Sequence, residues 1–307
     1  MRTGNRLKAS LAIASGALLA GCAATGGTRY PSPDAAVTAL AQAVRSDSTA
    51  TLGEIFGPQA DELISSGDDV EDRNRRQRFL ELYDQGHHLE QDESGTATLV
   101  VGPDDWPFPV PLVSEVGSWT FDTEAGLDEV INRRIGTNEL FTIETCRAIV
   151  DAQREYAALG HDGQPAGAYA RRFLSRDPPG HDGLYWPTGP DEPPSPLGLL
   201  VADAQAEGYT IPSGEHAPQP FHGYLYRMLA AQGPNAPGGA ADYTADGRMT
   251  RGFAVVAWPV EYGNSGVMSF LVGANGIVYQ ADLGDDTARV AGSMEVYDPD
   301  PRWTICD

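Results

Sequence analysis

Cys146 is a candidate nucleophile, because a cysteine thiolate attacks electrophiles and Arg147 follows it directly in the chain. A nucleophilic cysteine needs a thiol pKa that is lowered by a helix N-terminus or by a cationic neighbour. The helical pattern of residues 137–158 places Cys146 well inside a helix, in line with Ile143 and Val150 on the apolar face. Arg147 then points about 100° away around the helix. We therefore predict that Cys146 faces the core and is not catalytic.

Carboxylates and aromatic side chains form a second set of candidates. Asp104 and Asp105 could work as an acid/base pair, but adjacent residues of an extended chain point to opposite faces. A hydrolytic site would need Glu261 or another carboxylate to converge on them in space. Four aromatic residues complete the candidate binding surface: Trp106, Trp186, Trp258 and Tyr262. The alternative is that these aromatic side chains fix loops to the core.

Residues with metal-ligand chemistry are present, but their spacing does not indicate a site. His87 and His88 are adjacent, and no third ligand follows at a distance typical of zinc sites. The loop at Asp162 supplies one carboxylate, whereas calcium loops use several. We therefore predict no metal and no other cofactor.

The residues before Cys22 have the pattern of a signal peptide that ends at a modified cysteine. Residues 1–21 carry three basic residues, then a short apolar segment and small residues, which is the pattern of a secretory signal. The apolar segment is shorter than the roughly 20 residues of a membrane span. The ending LAGC resembles the lipobox of bacterial lipoproteins, which implies acylation of Cys22 with palmitate or a similar chain. The residue after Cys22 is Ala23 and not Asp, and in lipoproteins of this kind the absence of Asp at that position implies sorting to the outer membrane. The alternative is an ordinary secreted protein.

The chain is strongly acidic, with 21 Lys and Arg residues against 43 Asp and Glu residues and a formal net charge of −22. Removal of residues 1–21 takes away three positive charges and no acid, so −22 becomes −25. Such a charge is repelled by nucleic-acid phosphates and by anionic lipid headgroups. We therefore exclude nucleic acid as a partner and expect contact with the membrane through the lipid.

Cys146 and Cys306 are the two cysteines that remain beyond the lipidation site. In an oxidising compartment an even pair is first a disulfide candidate. A bridge between them would close a loop of about 160 residues and contribute roughly 4 kcal/mol through loop entropy. The alternative is that the thiols stay reduced and buried.

Helices followed by an antiparallel sheet are predicted for an N-terminal domain at 33–135, after a flexible tether at 22–32. Caps and apolar spacing predict helices from Ser32, near 52–56 and over 72–83. Strand patterns follow, with a turn at Gly117. This order of elements resembles the cone-shaped nuclear-transport-factor-2-like folds, which implies an internal ligand cavity.

A long helix packed on an antiparallel sheet is predicted for a C-terminal domain at 136–307. Gly136 is a candidate break or bend in the helical pattern. Asn275-Gly276 lies between two apolar runs, which is a strong signal of a β-hairpin. The whole chain is therefore predicted to be an α+β protein.

Several segments along the chain carry a family resemblance, among them DDWPFPVPLV, NRRIGTNEL, GFAVVAWPVEYG, GVMSFLVGANGIVYQADLG and DPDPRW. Together they resemble a family of exported proteins of Gram-negative bacteria, known as domain of unknown function 2950, over about residues 31–303. The family has no assigned activity, so the resemblance implies no catalytic residue.

The segments NELFTIETCRAIVDAQREYA, GYLYRM and SGVMSFLVGANGIVY are similar to the globular heads of type IV pilin-like proteins. That similarity implies a helix on a sheet, and a pilus or secretion component as a partner. The chain departs from pilins because it lacks the prepilin leader and the apolar helix that polymerises.

A lipid anchor without a complete catalytic constellation favours a non-enzymatic function. We expect an envelope lipoprotein that faces the periplasm and acts as a binding, assembly or structural module with another envelope protein. One alternative is a hydrolase of cell wall or glycan that uses carboxylate acid/base catalysis. Another is a small-ligand binding protein.

Overall fold

The computed structural model describes residues 26–161, 165–176, 180–211 and 219–306. The predicted signal peptide, the lipidation site at Cys22 and the calcium-loop candidate Asp162 lie outside these residues. None of the described helices is long and apolar enough to cross a membrane.

Four helices come first: α1 (Pro33–Arg45), α2 (Thr49–Phe56), α3 (Ala60–Ile64) and α4 (Asp69–Gln85). Ser32 caps α1, because its Oγ accepts a hydrogen bond from the backbone N–H of Ala35 at 3.1 Å. Asp68 caps α4 and accepts from the backbone N–H groups of Val70 and Glu71. The three predicted helices are confirmed, whereas the short α3 has too few residues to give a helical pattern in the sequence.

The helices are followed by five strands: β1 (His87–Gln91), β2 (Ala97–Val101), β3 (Trp106–Pro107), β4 (Leu112–Glu115) and β5 (Ser118–Phe121). They form an antiparallel sheet in the order β1-β2-β4-β5, with β3 paired to β2. Leu99 and Val101 of β2 are fully buried and pack with Leu40 of α1 in one apolar cluster. The β4–β5 hairpin turns at Val116 and Gly117, as predicted for the glycine.

Helix α5 (Thr123–Ala158) is a single helix of 36 residues. It begins at a cap in which Asp122 Oδ1 accepts from the backbone N–H of Ala125 at 3.1 Å, and Gly136 does not break it. Near its start Val130 packs against the N-terminal cluster, and Cys146 belongs to the C-terminal core. The predicted domain boundary at 135/136 therefore falls within one helix, and the division into two domains stays a prediction.

The described residues of the C-terminal half form ten strands, two α-helices and a short 3-10 helix at Gly284–Asp286. They are α6 (Gly198–Ala206), β6 (Tyr224–Leu229), β7 (Ala231–Gln232), β8 (Ala241–Asp242), β9 (Thr244–Ala245), β10 (Arg248–Met249), β11 (Ala254–Pro259), β12 (Met268–Gly273), β13 (Val278–Asp282), α7 (Thr287–Gly292), β14 (Val296–Tyr297) and β15 (Thr304–Ile305). The main sheet is antiparallel in the order β15-β13-β12-β11-β6, and a smaller sheet has the order β14-β7-β8.

Helices α5 and α7 cover opposite faces of the main sheet. The Tyr226 hydroxyl donates to Thr142 Oγ1 on α5 at 3.3 Å, whereas Arg227 Nη2 donates to the Ala291 carbonyl of α7 at 2.9 Å. Adjacent residues of a strand point to opposite faces, so the two helices enclose the sheet. The α+β class and the long helix on an antiparallel sheet are confirmed, while the relation to pilin heads stays a prediction.

The Asn275-Gly276 hairpin is also confirmed. Strands β12 and β13 pair in register with Val272 opposite Val278. Gly276 has a φ of +77° and donates its N–H to the Gly273 carbonyl at 2.9 Å, a conformation that glycine adopts without strain.

Candidate functional site

The N-terminal part of the predicted binding surface lies in the turn between β2 and β3. Asp104 and Asp105 are exposed, and Trp106 follows them with an exposed fraction of 37%. The Arg133 guanidinium of α5 lies 4.9 Å from the centre of the Trp106 ring, and Arg133 Nη1 donates to the Pro107 carbonyl at 3.3 Å. This cation–π contact fixes the turn to the helix.

The C-terminal part of the predicted surface is split between a turn and the core. Glu261 Oε2 accepts from Asn264 Nδ2 at 2.7 Å, and the Tyr262 hydroxyl donates to Asp282 Oδ1 at 3.0 Å. Trp258 is buried in the C-terminal core. None of these residues forms a described hydrogen bond or ion pair with Asp104 or Asp105, so no carboxylate couple is seen between the two parts.

Trp186 lies in a cluster of aromatic rings of its own. Its ring stacks on His181 with centroids 4.3 Å apart and meets His161 edge-on at 5.5 Å. The Tyr156 ring stacks on His161 at 4.1 Å, and its hydroxyl donates to the His181 carbonyl at 2.6 Å. These contacts fix the loop beside α5, while a binding role for Trp186 stays a prediction.

The cysteine pair differs from the predicted disulfide, because Cys146 and Cys306 are thiols in the described structure. Cys306 follows β15, and its Sγ lies 3.5 Å from Gln280 Oε1, to which it donates a hydrogen bond. Cys146 has no exposed surface. Burial, together with the nearby Cys306, raises the pKa of the Cys146 thiol to about 12, although Arg147 acts in the opposite direction. This agrees with the predicted core position of Cys146 and excludes a reactive thiolate there.

A polar cluster around the buried His222 lies where the two halves of the chain meet, and the sequence pattern did not indicate it. We call it the His222 cluster: Asp68, Glu71, Glu207, Tyr209 and His222. Residues 221–224 make a two-residue turn in which Phe221 and Tyr224 exchange backbone hydrogen bonds at 2.8 and 3.2 Å. His222 and Gly223 occupy its centre with φ of +49° and +74°, which is the geometry of a type I′ turn.

The His222 ring is enclosed by two carboxylates and an aromatic ring. Nδ1 lies 3.2 Å from Glu71 Oε2, and Nε2 lies 3.2 Å from Glu207 Oε2. The Phe141 ring stacks on the imidazole with centroids 4.3 Å apart. Each ring nitrogen therefore faces a carboxylate oxygen within hydrogen-bond distance, and the Phe141 ring covers one face of the imidazole.

Glu71 is the most strongly perturbed carboxylate of the cluster. Burial by itself would raise its pKa, but the hydrogen bond with His222 and the charge of Arg75 lower the pKa to about 2. Arg75 Nε donates to Glu71 Oε1 at 2.8 Å, one helical turn further along α4. Glu71 is therefore ionised throughout the neutral range and is held between Arg75 and His222.

Asp68 joins the same helix to the turn. Its Oδ2 accepts from the Tyr209 hydroxyl at 2.9 Å and from the backbone N–H of Gly223 at 3.0 Å. The Tyr209 oxygen in turn accepts from the backbone N–H of His222 at 3.1 Å. Burial and the charge of Asp68 raise the pKa of Tyr209 well above its usual value, so the hydroxyl keeps its proton.

Two arginines, Arg75 of α4 and Arg134 of α5, make further polar contacts between the two halves. Arg75 Nη2 donates to Asn138 Oδ1 at 2.7 Å, and Asn138 Nδ2 donates to the Ser265 carbonyl at 2.8 Å. Arg134 donates to the carbonyls of Glu62 and Leu63 at 3.0 and 2.8 Å. Burial lowers the pKa of Arg134 to about 10, where it is still charged at neutral pH.

The polar groups of the His222 cluster are satisfied within the chain. The His222 side chain is 6% exposed and both of its ring nitrogens face carboxylates, so neither is available to a substrate. The cluster therefore holds α4 against the C-terminal sheet. Two sequence signals could have indicated it: the polar helix DRNRRQR, which has no apolar stripe, and the pair His-Gly between apolar residues.

A cleft of about 440 Å³ opens on the α7 side of the main sheet. One wall is the end of β6 with its continuation into β7, and the other is the segment that enters β14. The lining residues are Arg227, Met228, Leu229, Ala230, Ala231, Asp242, Met294, Glu295 and Val296. A smaller cavity of about 150 Å³ lies between α1, the end of α4 and β1. None of the predicted binding-surface residues lines the cleft or the smaller cavity.

The described residues hold no group of three or more His, Cys, Asp or Glu that could bind a metal ion.

These features define an α+β protein whose two apolar cores are joined by a long helix and a buried ionic cluster. Comparison of the sequence with protein families matches residues 27–306 to the family described as protein of unknown function (DUF2950). The chain belongs to this family. No curated protein and no solved structure gives a significant match.

Proposed function

We propose that this protein is a lipid-anchored component of the bacterial cell envelope that binds another envelope molecule in the cleft beside β6 and catalyses no reaction. The signal-like residues 1–21 and the lipobox-like ending at Cys22 support the anchor. The acidic chain, which would be repelled by anionic headgroups, supports attachment through lipid.

The observation that carries the binding function is the cleft itself. Its volume of about 440 Å³ falls within the range of roughly 300–1,000 Å³ that ligand sites usually have. Its walls combine apolar side chains such as Met294 with the exposed carboxylates of Asp242 and Glu295. The smaller cavity at α1 is below that range, so it gives little support to a small-ligand site in the N-terminal half.

The hydrolase alternative receives less support from the geometry. An acid/base pair needs two carboxyl groups that face one substrate and differ in pKa. Asp104 and Asp105 form no described contact with Glu261, and Glu261 itself is bound by Asn264. Glu71 lies in the His222 cluster with its pKa lowered, and burial raises the pKa of Asp72, whose carboxylate accepts from the Ser66 hydroxyl and backbone N–H. Neither carboxylate forms a described contact with Asp104, Asp105 or Glu261.

Acylation can be tested with the full chain in a bacterial host that is fed an alkyne-labelled fatty acid. We expect wild-type protein to be labelled and the Cys22→Ser variant to remain unlabelled and leave the membrane fraction. An equal label on the variant would refute the anchor at Cys22.

Binding can be tested by photo-crosslinking in intact cells. A photoreactive residue in place of Ala230, which is exposed and lines the cleft, should capture one defined envelope molecule. The matched control is the same residue in place of Ala202, which is exposed on α6. Identical products at both positions, or none at Ala230, would contradict the binding function.

Release of soluble fragments from purified cell wall by the full chain would contradict the absence of catalysis.

A further inference from the structure

We infer that the open edge of β6 accepts an extended peptide with basic side chains as an additional strand. The inference rests on the proposed function, because it assumes that the cleft beside β6 is the binding site. It adds the chemical class of the partner and the mode of recognition.

The direction of the backbone groups along β6 follows from its pairing with β11. The Val260 N–H donates to the Gly223 carbonyl at 3.0 Å, which makes these two residues a hydrogen-bonded pair. In an antiparallel ladder such pairs recur at every second residue. Leu225, Arg227 and Leu229 therefore bond to β11, while the N–H and C=O groups of Tyr226 and Met228 are directed away from it.

The outer edge of β6 is closed at both ends and open between them. At one end Tyr224 exchanges hydrogen bonds with Phe221, and at the other the Tyr243 N–H donates to the Ala230 carbonyl at 2.9 Å. Between these points the backbone groups of Tyr226 and Met228 have no hydrogen-bond partner among the described residues. A row of unpaired backbone groups at a sheet edge is a template for another strand.

The cleft provides space next to this edge. Met228, Leu229 and Ala230 all line it, so a chain that pairs with β6 can place alternate side chains inside it. Val296 on the opposite wall is 41% exposed and offers an apolar surface to those side chains.

The charges at the cleft favour a basic peptide. Asp242 and Glu295 are both exposed at the walls, and neither forms an ion pair within the described residues. Arg227 also lines the cleft and interacts with the charge of Glu295, but its guanidinium donates to the carbonyls of Ala291, Gly292 and Met294 at the end of α7. Asp242 and Glu295 together still leave the walls with one more negative charge than positive charges. A second copy of this chain is disfavoured as the occupant, because each copy carries a formal net charge of −22.

The test uses three synthetic peptides with the full-length protein in detergent. The first is an acetylated and amidated octapeptide of alternating Lys and Val, the second has Glu in place of Lys, and the third is the Lys peptide with N-methyl groups on alternate residues. We expect the Lys peptide to bind and to slow hydrogen exchange at the amides of Tyr226 and Met228. The N-methylated peptide should bind about tenfold more weakly or worse, because it lacks the donors for strand pairing.

Two variants separate strand pairing from charge attraction. Met228→Pro removes one outward N–H group, which an edge strand tolerates, and should weaken binding of the Lys peptide. The double variant Asp242→Asn/Glu295→Gln should remove the preference for Lys over Glu. Its matched control, Asp128→Asn/Glu144→Gln, changes the charge equally on exposed positions of α5 and should leave that preference intact.

The inference is overturned if the N-methylated peptide binds as tightly as its parent, or if the amides of Tyr226 and Met228 exchange equally fast with and without the Lys peptide. Slow exchange at both amides without peptide, together with dimerisation in sedimentation experiments, would assign the edge to a second copy. If the peptides fail while crosslinks from position 230 persist, strand pairing is wrong and the proposed function stands. If peptide binding and the crosslinks from position 230 both fail, strand pairing and the proposed function are both refuted.

Discussion

His222 Nδ1 lies 3.2 Å from Glu71 Oε2, although the two residues are 151 positions apart in the chain. Glu71 belongs to α4 of the N-terminal half, and His222 forms the turn that leads into β6 of the main sheet. The His222 cluster, together with α5 and its polar contacts, joins the two halves of the chain. Because β6 begins directly after this turn, the contact helps to fix the start of the strand.

Acid should weaken this contact through Glu71. The folded pKa of about 2 lies below the ordinary glutamate value of 4.5, so the ionised carboxylate contributes stability above pH 4.5 and loses it as the pH falls toward 2. The pKa difference corresponds to a contribution of roughly 3 kcal/mol to the free energy of unfolding. Urea denaturation at pH values from 7 to 3 should show this decline for the wild type.

The Glu71→Gln variant should be less stable at pH 7 and should lose less stability on acidification. Glu81→Gln is the matched control, since Glu81 is an exposed residue of the same helix. Parallel pH profiles for wild type and Glu71→Gln would show that Glu71 does not supply the acid-labile stability.

Gly223 should tolerate no side chain. Its φ is +74°, and a Cβ placed there would lie 2.4 Å from Asn138 Nδ2. Gly223→Ala should therefore cost about 2–4 kcal/mol, from backbone strain together with displacement of a buried amide. Thermal and urea unfolding of the variant measure the loss.

Gly284→Ala is the control that separates backbone strain from the contact with a buried amide. Gly284 has a φ of +70°, and no atom lies within 4 Å of the place that a Cβ would occupy. Gly284→Ala therefore carries the backbone strain alone and should cost only about 1 kcal/mol. Equal losses for the two variants would show that contact with Asn138 contributes nothing.

The elements with local signals were predictable from the sequence. Ser32 gave the start of α1, and Asn275-Gly276 gave the β12–β13 hairpin, because caps and tight turns depend on residues close together in the chain. The apolar face of α5 also placed Cys146 in the core correctly. Of the two states left open for Cys146 and Cys306, the described structure has the thiols, and a bridge in solution stays a prediction, because sequence gives the number of cysteines and not the direction of their side chains.

The His222 cluster was not predictable in the same way. Its members come from α4, the segment after α6 and the turn before β6, and no local pattern links Glu71 to His222. The polar helix α4 resembles a solvent-exposed helix in sequence, although Asp72 is buried beneath it. Polar groups that are satisfied by distant partners leave little trace in apolar periodicity.

Val116 should be a site where a substitution stabilises the protein. It is fully exposed in the β4–β5 turn and has a φ of +49°, which is strained for a β-branched residue. Val116→Asn should raise the free energy of unfolding by about 0.5–1 kcal/mol, since Asn tolerates this conformation and favours such turns. Val296→Asn is the control, because Val296 is exposed in a strand with ordinary backbone angles, and it should give no gain.

Cys146 should resist alkylation for as long as the protein stays folded. Burial and the nearby Cys306 raise the pKa of its thiol to about 12, so at pH 8 the thiolate fraction is about one in ten thousand. Mass spectrometry after iodoacetamide treatment without reductant should show label on Cys306, which is half-buried, and none on Cys146. After denaturation, still without reductant, both residues should be labelled. Rapid labelling of Cys146 in the folded protein would contradict its core position, and failure to label either residue after denaturation would show that the two form a disulfide in solution.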